Sequence, residues 1–247
     1  MNLARSRIHW EDMGVLDPYW AILSEPTKKN GRWETTDFFA IGKKEISLLM
    51  NELRQLDLPR RQQRALDFGC GVGRLTRALA RHFNHVTGID ISGPMISRAS
   101  SLNADERCTF IVSDCPTLPF ASETFDLILS SIVLQHVPQQ SAIRQYIAEF
   151  ARTLRPGGMI VTQLPSYIPL RRRLQARRRL YAWLRAVGIS EEVLYNQLRL
   201  HPIPMNYLPE REVCHVLESN RCQVLKIVPD NRAGAHIESR TYYATKS

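Results

Sequence analysis

The chain has 247 residues, of which 44% are hydrophobic and 23% are charged. This composition is ordinary for a folded globular protein and excludes a collagen-like, low-complexity or disordered chain. A chain of this length buries roughly 70 to 75% of its unfolded surface, so we expect one domain with a substantial core. The formal net charge is +9, which raises the question of an acidic partner.

The chain has no run of about 18 apolar residues and no apolar stretch near its first residues. We therefore expect neither a membrane span nor a secretory signal. The five cysteines form no C-x-x-C pair and have no histidines at zinc spacing, which indicates reduced thiols and no metal site. The expected compartment is the cytoplasm. The sequence does not indicate an oligomeric state.

The predicted elements begin with a helical lead-in over residues 1–60. Apolar residues there have no clean period until 37–57, where they recur at the 3.6-residue spacing of an amphipathic helix. Strands then alternate with helical stretches, which is typical of a parallel sheet covered by helices on both faces. The strands are predicted at residues 64–68, 85–90, 109–113, 125–131 and 158–163.

The alternation breaks after residue 164. Residues 165–209 contain several prolines around an arginine-rich helical stretch. Residues 210–247 restore the pattern, with a helix at about 210–219 and two closing strands. We therefore predict a single domain, 1–247, in four parts whose bounds are 1–60, 61–164, 165–209 and 210–247.

A glycine-rich loop follows the first predicted strand. Gly69, Gly71 and Gly73 alternate with other residues after the acidic Asp67, and they let the backbone turn sharply. The next strand ends in Asp90, 21 positions beyond Gly69. This is about the spacing at which a carboxylate in a βαβ unit binds the ribose hydroxyls of a nucleoside. The loop and the acid therefore predict a cofactor that carries a nucleoside.

The loop departs from the dinucleotide fingerprint. That fingerprint is G-x-G-x-x-G and brings a pyrophosphate to a helix N-terminus, whereas the spacing here is G-x-G-x-G with Asp67 just before it. A fixed carboxylate repels a pyrophosphate but suits a ligand that carries an ammonium and a sulfonium. No Gly-Lys-Ser/Thr follows the glycines, which excludes a P-loop.

Five motifs occur in register along the chain: RALDFGCGVGRL at 64–75, GID at 88–90, VSDCPTLPF at 112–120, FDLILSSIVLQHVP at 125–138 and LRPGGMIVTQLP at 154–165. On these motifs the sequence resembles the class I S-adenosylmethionine-dependent methyltransferases, in the branch with a GCGxGR loop. The resemblance implies a Rossmann-like α/β fold with a seven-stranded, mostly parallel sheet, helices on both faces and an antiparallel last strand. It also implies that 61–164 binds S-adenosylmethionine and that 165–209, after strand 5, is a lid over the substrate.

The resemblance implies roles for single residues. Asp67 orients the amino group of the cofactor, the loop from Gly69 to Gly73 cradles its methionine part, and Asp90 binds the ribose. Arg74 reaches the cofactor carboxylate, with a structural role as the alternative. The other cofactor residues that the resemblance implies are Cys70, Gly71, Ile91, Met95, Asp114, Cys115 and Ser130.

Among these, Ile91 and Met95 pack on the adenine and ribose. Asp114 and the Cys115 amide hold the adenine, although Asp114 also suits a helix cap or a turn. Cys70 has no partner base nearby in the sequence and is interpreted as a small packing residue, not a nucleophile.

Methyl transfer from a sulfonium needs a nucleophile held about 3 to 3.5 Å away and the exclusion of water. A hydroxyl nucleophile also gains from a general base. The candidate bases are His136, after the fourth strand, and His201, within the lid. His136 is favoured by location, because ligands of open α/β sheets bind at the carboxyl edge. Tyr19, Trp20, Met205 and Tyr207 are candidate pocket walls, with core packing as the alternative.

The arginine-rich segment has three open interpretations. Residues 165–209 hold eight arginines against Glu191 and Glu192. The cluster steers an acidic acceptor or carrier, binds a nucleic acid, or forms a solvated helix face opposite an apolar stripe. In the last case the stripe is formed by Leu174, Leu180, Leu184 and Val187.

Nucleic acid is the less favoured partner. Methyltransferases that act on base amines carry an Asn/Asp-Pro-Pro-Tyr/Phe motif after the fourth strand, where this chain has Ser130-Ser131-Ile132-Val133. We therefore expect methyl transfer to a hydroxyl of a small molecule, glycan or carrier-bound intermediate, and the first interpretation of the arginine cluster predicts that this acceptor is acidic. The alternatives are methylation of a small amine or nucleic acid, and a regulatory or scaffold protein that binds the cofactor without transfer.

Overall fold

The computed structural model describes residues 3–201, 203–234 and 236–247. Seven strands in the described residues form one sheet. They are β1 (Arg64–Phe68), β2 (His85–Asp90), β3 (Cys108–Val112), β4 (Phe125–Ser130), β5 (Leu154–Tyr167), β6 (Cys222–Asp230) and β7 (Glu238–Lys246).

The helices are α1 (Leu3–Leu16), α2 (Pro18–Ile22), α3 (Thr35–Gln55), α4 (Arg74–Leu79), α5 (Gly93–Leu102), α6 (Gln140–Thr153), α7 (Leu170–Arg173), α8 (Ala176–Ala186) and α9 (Glu210–Ser219). Short 3₁₀ turns lie at Pro26–Lys28 and Leu134–His136, and a π-helical turn lies at Val193–Gln197. None of these described helices is both long and apolar enough to cross a bilayer.

The strand order is β3-β2-β1-β4-β5-β7-β6. Strands β1 to β5 pair in parallel, and β7 runs antiparallel to both β5 and β6. This confirms the predicted fold class, a mostly parallel sheet whose last strand is antiparallel. The order reverses between β1 and β4, so the loops that follow these two strands diverge at the carboxyl edge. Ligands of open α/β sheets bind in the crevice at such a switch point.

Neighbouring residues of each central strand face opposite layers. Ala65 packs on one side with residues of α3 and α4, whereas Leu66 packs on the other side with residues of α6 and α9. Ala65, Leu66 and Asp67 of β1 are all buried, so the strand is covered on both faces. The sheet thereby holds the carboxyl ends of β1, β2 and β4 in fixed positions.

Two segments cover the carboxyl edge. We call residues 3–33 the cap and the described residues of 168–209 the lid. The cap contains α1 and α2 and contacts the lid, since the Tyr195 hydroxyl donates to Asp17 at 3.3 Å and the Lys29 ammonium donates to the Tyr195 carbonyl at 2.8 Å. Strand β5 runs to Tyr167, so the lid begins three residues later than the predicted bound at 165.

Candidate functional site

A cavity of about 680 Å³ lies at the carboxyl edge between the loops after β1 and β4. Its volume falls in the range of about 300 to 1,000 Å³ that is typical of small-molecule sites. The sheet side of its wall includes Gly69, Gly71, Asp90, Ile91 and Met95. The cap and the lid supply the opposite side.

Asp90 ends β2 at the cavity wall, and its two oxygens have different backbone partners. Oδ2 accepts from the Gly71 amide at 2.8 Å, and Oδ1 accepts from the Ser92 amide at 2.9 Å. Burial raises the pKa of Asp90, and the amide hydrogen bonds from Ser92 and Gly71 oppose that effect. A carboxylate has about four lone-pair sites, so each oxygen keeps one for a ligand hydroxyl. Asp90 is thus oriented by the backbone and still able to accept two hydrogen bonds.

The glycines of the loop are required by their backbone and by their neighbours. Gly69 and Gly71 have φ of +75° and +54°. A Cβ on Gly69 would lie 2.4 Å from the Val133 side chain, and one on Gly71 would lie 2.5 Å from Ile22 Cδ1. The glycines therefore allow two segments to pack closely on the glycine-rich loop beside the cavity. These segments are the loop after β4 and the cap.

Arg74 is buried against α3 and also reaches the cavity wall. A Cβ on Gly42 would lie 2.6 Å from Arg74 Cγ, so Gly42 gives the side chain its space. Glu45 accepts from Arg74 Nη1 at 2.8 Å and also pairs with Arg232 from the β6–β7 loop. Arg74 Nε is buried without a hydrogen-bond partner among the described residues. The Arg74 guanidinium is therefore a buried cation beside the cavity, and a cation there suits the carboxylate of an amino acid.

Four predicted cofactor residues lie behind the wall and not on it: Asp67, Cys70, Gly73 and Ser130. Asp67 is buried, and it accepts from Thr76 Oγ1 at 2.6 Å. Burial raises the pKa of Asp67 to about 6, partly offset by the Thr76 hydrogen bond. Asp67 therefore ties β1 to α4, and any effect on a ligand passes through the loop or a bridging water.

Asp114 and Cys115, which were expected to contact adenine, do not line the cavity. The Asp114 carboxylate turns outward to Arg7 of α1, at 3.2 Å, and Cys115 is exposed. Ser113, at the end of the same strand, lines the cavity in their place. The Arg7 partner of Asp114 lies 107 residues away, on the cap, and contact of Asp114 with adenine stays a prediction.

His136 lies on the cavity wall, in the 3₁₀ turn after β4. Its Nδ1 is 2.9 Å from the Pro204 carbonyl oxygen, which only accepts, so Nδ1 carries the proton. Nε2 then has a lone pair, which faces Gln135 Nε2 at 3.1 Å. Burial lowers the pKa of His136 to about 4, although the Pro204 hydrogen bond opposes this. His136 is therefore a neutral, weakly basic side chain of fixed orientation.

His201 also lines the cavity, from the lid. Partial desolvation and the nearby charges of Arg177 and Lys29 lower its pKa. The lid segment after it is anchored to the β4 loop, since Asn206 N donates to the Gln135 carbonyl at 2.7 Å. The two predicted bases therefore face the same cavity from two segments that are bonded to each other.

The cover side of the wall was largely missed by sequence reasoning. Three of the four tryptophans, Trp10, Trp20 and Trp33, line the cavity, and only Trp20 was expected there. The Trp10 ring lies edge-on to the His136 ring, with centroids 5.4 Å apart. Met205 lines the cavity as predicted, whereas Tyr19 stacks on Phe38 and Tyr207 lies under the Arg173 guanidinium.

Ile132 is a further wall residue without a signal in the sequence. Its φ is +62°, a strained conformation for a β-branched residue, and its amide is held by Gln163 Oε1 at 3.0 Å. With this backbone conformation, Ile132 turns the chain from the end of β4 into the loop that carries His136.

Comparison with known proteins matches residues 66–162 to the family described as Methyltransferase domain. Among curated relatives, phosphoethanolamine N-methyltransferase 1 of Triticum aestivum is 31% identical over 62% of this chain and 28% of its own length. The 2-methyl-6-phytyl-1,4-hydroquinone methyltransferase of Synechocystis sp. is 29% identical over 65% of this chain and 50% of its own length. The chain therefore spans half or less of the length of these two relatives.

Among solved structures, magnesium protoporphyrin IX methyltransferase from Synechocystis with bound S-adenosylhomocysteine aligns with a TM-score of 0.64 and 18% identity, over 99% of both chains. That likeness shows the fold. With the matched segment 66–162 and the five motifs in register, it supports the resemblance of this chain to the class I S-adenosylmethionine-dependent methyltransferases.

Proposed function

We propose that the protein transfers the methyl group of S-adenosylmethionine to an acidic hydroxyl, such as that of a phenol or hydroquinone, held beside His136. The observation that carries this proposal is the His136 geometry. Pro204 fixes the proton on Nδ1 and leaves the Nε2 lone pair at the wall of the cavity that also holds Asp90 and the glycine loop.

The wall fits S-adenosylmethionine, the cofactor of the family. Asp90 would accept the ribose hydroxyls, Arg74 Nε would donate to the cofactor carboxylate, and Ile91 and Met95 would pack on the nucleoside. When bound, the cofactor supplies a methyl group already activated by the sulfonium. The protein then has to hold the acceptor in line, exclude water and accept one proton.

His136 would accept that proton at Nε2, with the acceptor hydroxyl displacing the Gln135 side chain as its donor. A base with a pKa of about 4 removes a proton more readily from an acidic hydroxyl than from an aliphatic alcohol. The Pro204 carbonyl would stabilise the resulting imidazolium by accepting from Nδ1. A weak, fixed base therefore suits an aromatic hydroxyl.

The cavity wall beside His136 supports an aromatic acceptor. Trp10 lies edge-on to His136, and Ile203 and Met205 add apolar surface from the lid. Flat apolar walls favour an aromatic ring by burial and by ring contacts of about 0.5 to 1.5 kcal/mol. The Synechocystis relative, named for a hydroquinone substrate, is consistent with this class.

A carboxylate oxygen is the second candidate acceptor. Arg74 and Arg232 share the single carboxylate of Glu45, so this part of the wall keeps a positive charge. A carboxylate is already deprotonated at neutral pH and needs no base. In that case Arg232, and not His136, would orient the acceptor.

The test is release of S-adenosylhomocysteine from S-adenosylmethionine with panels of phenols, hydroquinones, carboxylates and amines. We expect turnover with the aromatic hydroxyls, lowered about a hundredfold or more by His136→Gln, because general bases contribute about that much. Arg232→Gln should leave it within about threefold, a change of under 1 kcal/mol. His215→Gln, an exposed histidine on α9, is the matched control.

Other outcomes assign the alternatives. Turnover of carboxylates that depends on Arg232 and not on His136 would replace the first proposal by the second. Turnover of amines alone would make the protein an N-methyltransferase. Tight cofactor binding without release of product on any panel would support the non-catalytic alternative.

A further inference from the structure

Helix α8 exposes an apolar stripe to solvent. Leu180, Trp183 and Val187 recur at spacings of three and four residues, so they lie on one face of the helix. They are 46%, 62% and 59% exposed. Tyr181 is buried on the opposite side and packs with Leu194 and Leu200. The helix thus contacts the protein through one face and leaves a second apolar face uncovered.

This arrangement bears on the interpretation of the arginine-rich segment as a solvated helix face opposite an apolar stripe, because most of that stripe is itself exposed. Of the four residues that defined it, only Leu184 contributes to a core cluster. Leu174, Leu180 and Val187 are exposed. Leu170 just before them is 71% exposed, which extends the apolar surface along α7.

The same segment is strongly basic. Seven arginines and no acidic residue lie between Leu170 and Val187. Arg171, Arg172 and Arg179 are exposed and form no ion pair with the described residues. Arg177 and Arg179 flank the α8 stripe at helical positions on either side of it. Uncompensated cations therefore border the exposed apolar face.

We infer that α7 and α8 form a docking surface for an anionic lipid bilayer. Helices that lie in the membrane interface combine an apolar face containing Trp and Leu with arginines beside it. The arginines complement anionic headgroups, while the stripe enters the acyl boundary. An exposed tryptophan beside leucine and valine suits this interface, where its amphipathic ring is stabilised.

A nucleic acid is less well matched to this surface. The phosphate backbone would be bound by the arginines, but Leu180 and Val187 would remain in water or face a polar duplex groove. A second copy of the chain would place two surfaces of seven arginines against each other. The apolar stripe thus disfavours a nucleic acid and the positive charge disfavours a second copy, whereas an anionic lipid surface matches both features.

The experiment is cosedimentation of the full chain with vesicles of phosphatidylcholine alone or mixed with phosphatidylserine. We expect binding to the anionic vesicles that weakens as salt rises above about 0.1 M. Leu180→Ser with Trp183→Ser should weaken it by about tenfold or more through lost apolar burial. Arg171→Gln, Arg172→Gln and Arg179→Gln together should weaken it by roughly a hundredfold at low salt.

Matched controls come from other faces of the molecule. Ile8→Ser with Leu48→Ser removes apolar side chains that are 56% and 58% exposed, on α1 and α3. Arg61→Gln, Arg98→Gln and Arg211→Gln remove three exposed arginines elsewhere. Both controls should bind the vesicles like the parent. Circular dichroism and cofactor affinity show whether each variant is folded.

Insertion of the stripe is read directly from Trp183. Brominated lipid should quench part of the tryptophan fluorescence, and Trp183→Phe should abolish that part while keeping most of the binding. The inference would be overturned if the parent, the Leu180/Trp183 variant and the triple arginine variant sedimented equally. Absence of binding to anionic vesicles would also overturn it. A retarded RNA complex or a concentration-dependent dimer, lost in the same variants without vesicle binding, would assign the surface to nucleic acid or to a second copy instead.

Discussion

The sheet side and the cover side of the cavity are built from different interactions. On the sheet side, Asp90 is held by two backbone amides at the end of a strand that is paired on both edges. On the cover side, the cap meets the lid through side chains, among them Asp12 with Glu191 and Tyr195 with Asp17. Backbone hydrogen bonds within a sheet open rarely, whereas segments joined by a few side-chain contacts open at a smaller free-energy cost.

We therefore expect the sheet side of the cavity to keep its structure, and the contact between the cap and the lid to change with pH. A ligand bound under the cap and the lid needs a route in, and the sheet offers none without losing its core. Substitutions on the sheet side should change affinity strongly, and those on the cover side should change access more gently.

The largest expected effect is on the sheet side. Asp90→Ala removes two charge-assisted hydrogen bonds to ribose, worth about 1.5 to 3 kcal/mol each, so the Kd for S-adenosylmethionine should rise by about a hundredfold or more. Isothermal titration calorimetry measures it. The control is Asp105→Ala, which breaks an ion pair with Arg107 outside the cavity wall. Unchanged affinity would contradict the assignment of Asp90 to the ribose.

The next effect tests how α3 positions Arg74. Gly42→Ala would put a methyl group 2.6 Å from Arg74 Cγ and 2.7 Å from its carbonyl oxygen, so α3 and α4 must separate. Overpacking of this kind costs about 1 to 3 kcal/mol, and the displaced guanidinium should weaken cofactor binding by about tenfold.

Gly93→Ala is the matched control for this prediction, because the nearest atom to its new Cβ is 4.0 Å away. Thermal unfolding and calorimetry should show a lower Tm and a higher Kd for Gly42→Ala alone. If Gly42→Ala keeps both values, the wall does not depend on the packing of Arg74.

The sheet side was also the part that the sequence predicts well. Strands β1 and β2 have the predicted bounds, 64–68 and 85–90, because buried parallel strands have short continuous apolar sequences that end at polar residues. Asp90 follows from its spacing to the glycine loop. These signals are local, so no knowledge of distant partners was needed.

The cover side depends on distant partners. Helix α1 has no clean apolar period, and its position comes from contacts such as Ser92 Oγ with the Trp10 carbonyl, at 3.1 Å. Glu45 and Arg74 are 29 residues apart and pair only because Gly42 admits the arginine. The ion pair of Asp114 is of the same kind, since its partner Arg7 lies on the cap. Tertiary contacts of this kind leave no periodic trace in the sequence.

A smaller effect concerns the pH dependence of turnover. A histidine with an ordinary pKa near 6.5 would be almost fully protonated at pH 5 and would lose about thirtyfold in activity as a base. The pKa of His136 is lowered to about 4, mainly by burial, so it stays neutral at pH 5. We expect kcat to change by less than about twofold between pH 8 and pH 5. An acid limb near pH 6.5 that disappears in His136→Gln would show that the base is more exposed to water than the fold suggests.

The smallest effect is a pH dependence of the contact between cap and lid. Burial, with the nearby Glu191, raises the pKa of Asp12 to about 6 from 3.8. Glu11 also raises it, while Arg185 opposes them. Because the folded carboxyl binds its proton more tightly, the contact is most stable below about pH 4, weakens as the pH rises to 6 and is constant above that.

Hydrogen exchange of the lid amides, corrected for its intrinsic pH dependence, measures this change. Protection within α8 should fall by about threefold between pH 5 and pH 7, a modest effect because Asp12 is partly solvated. Asp12→Asn should remove the dependence, since an amide does not titrate, while the amides of α9 serve as an internal reference in both proteins. The same pH dependence in parent and Asp12→Asn would show that a group other than Asp12 controls the contact between the cap and the lid.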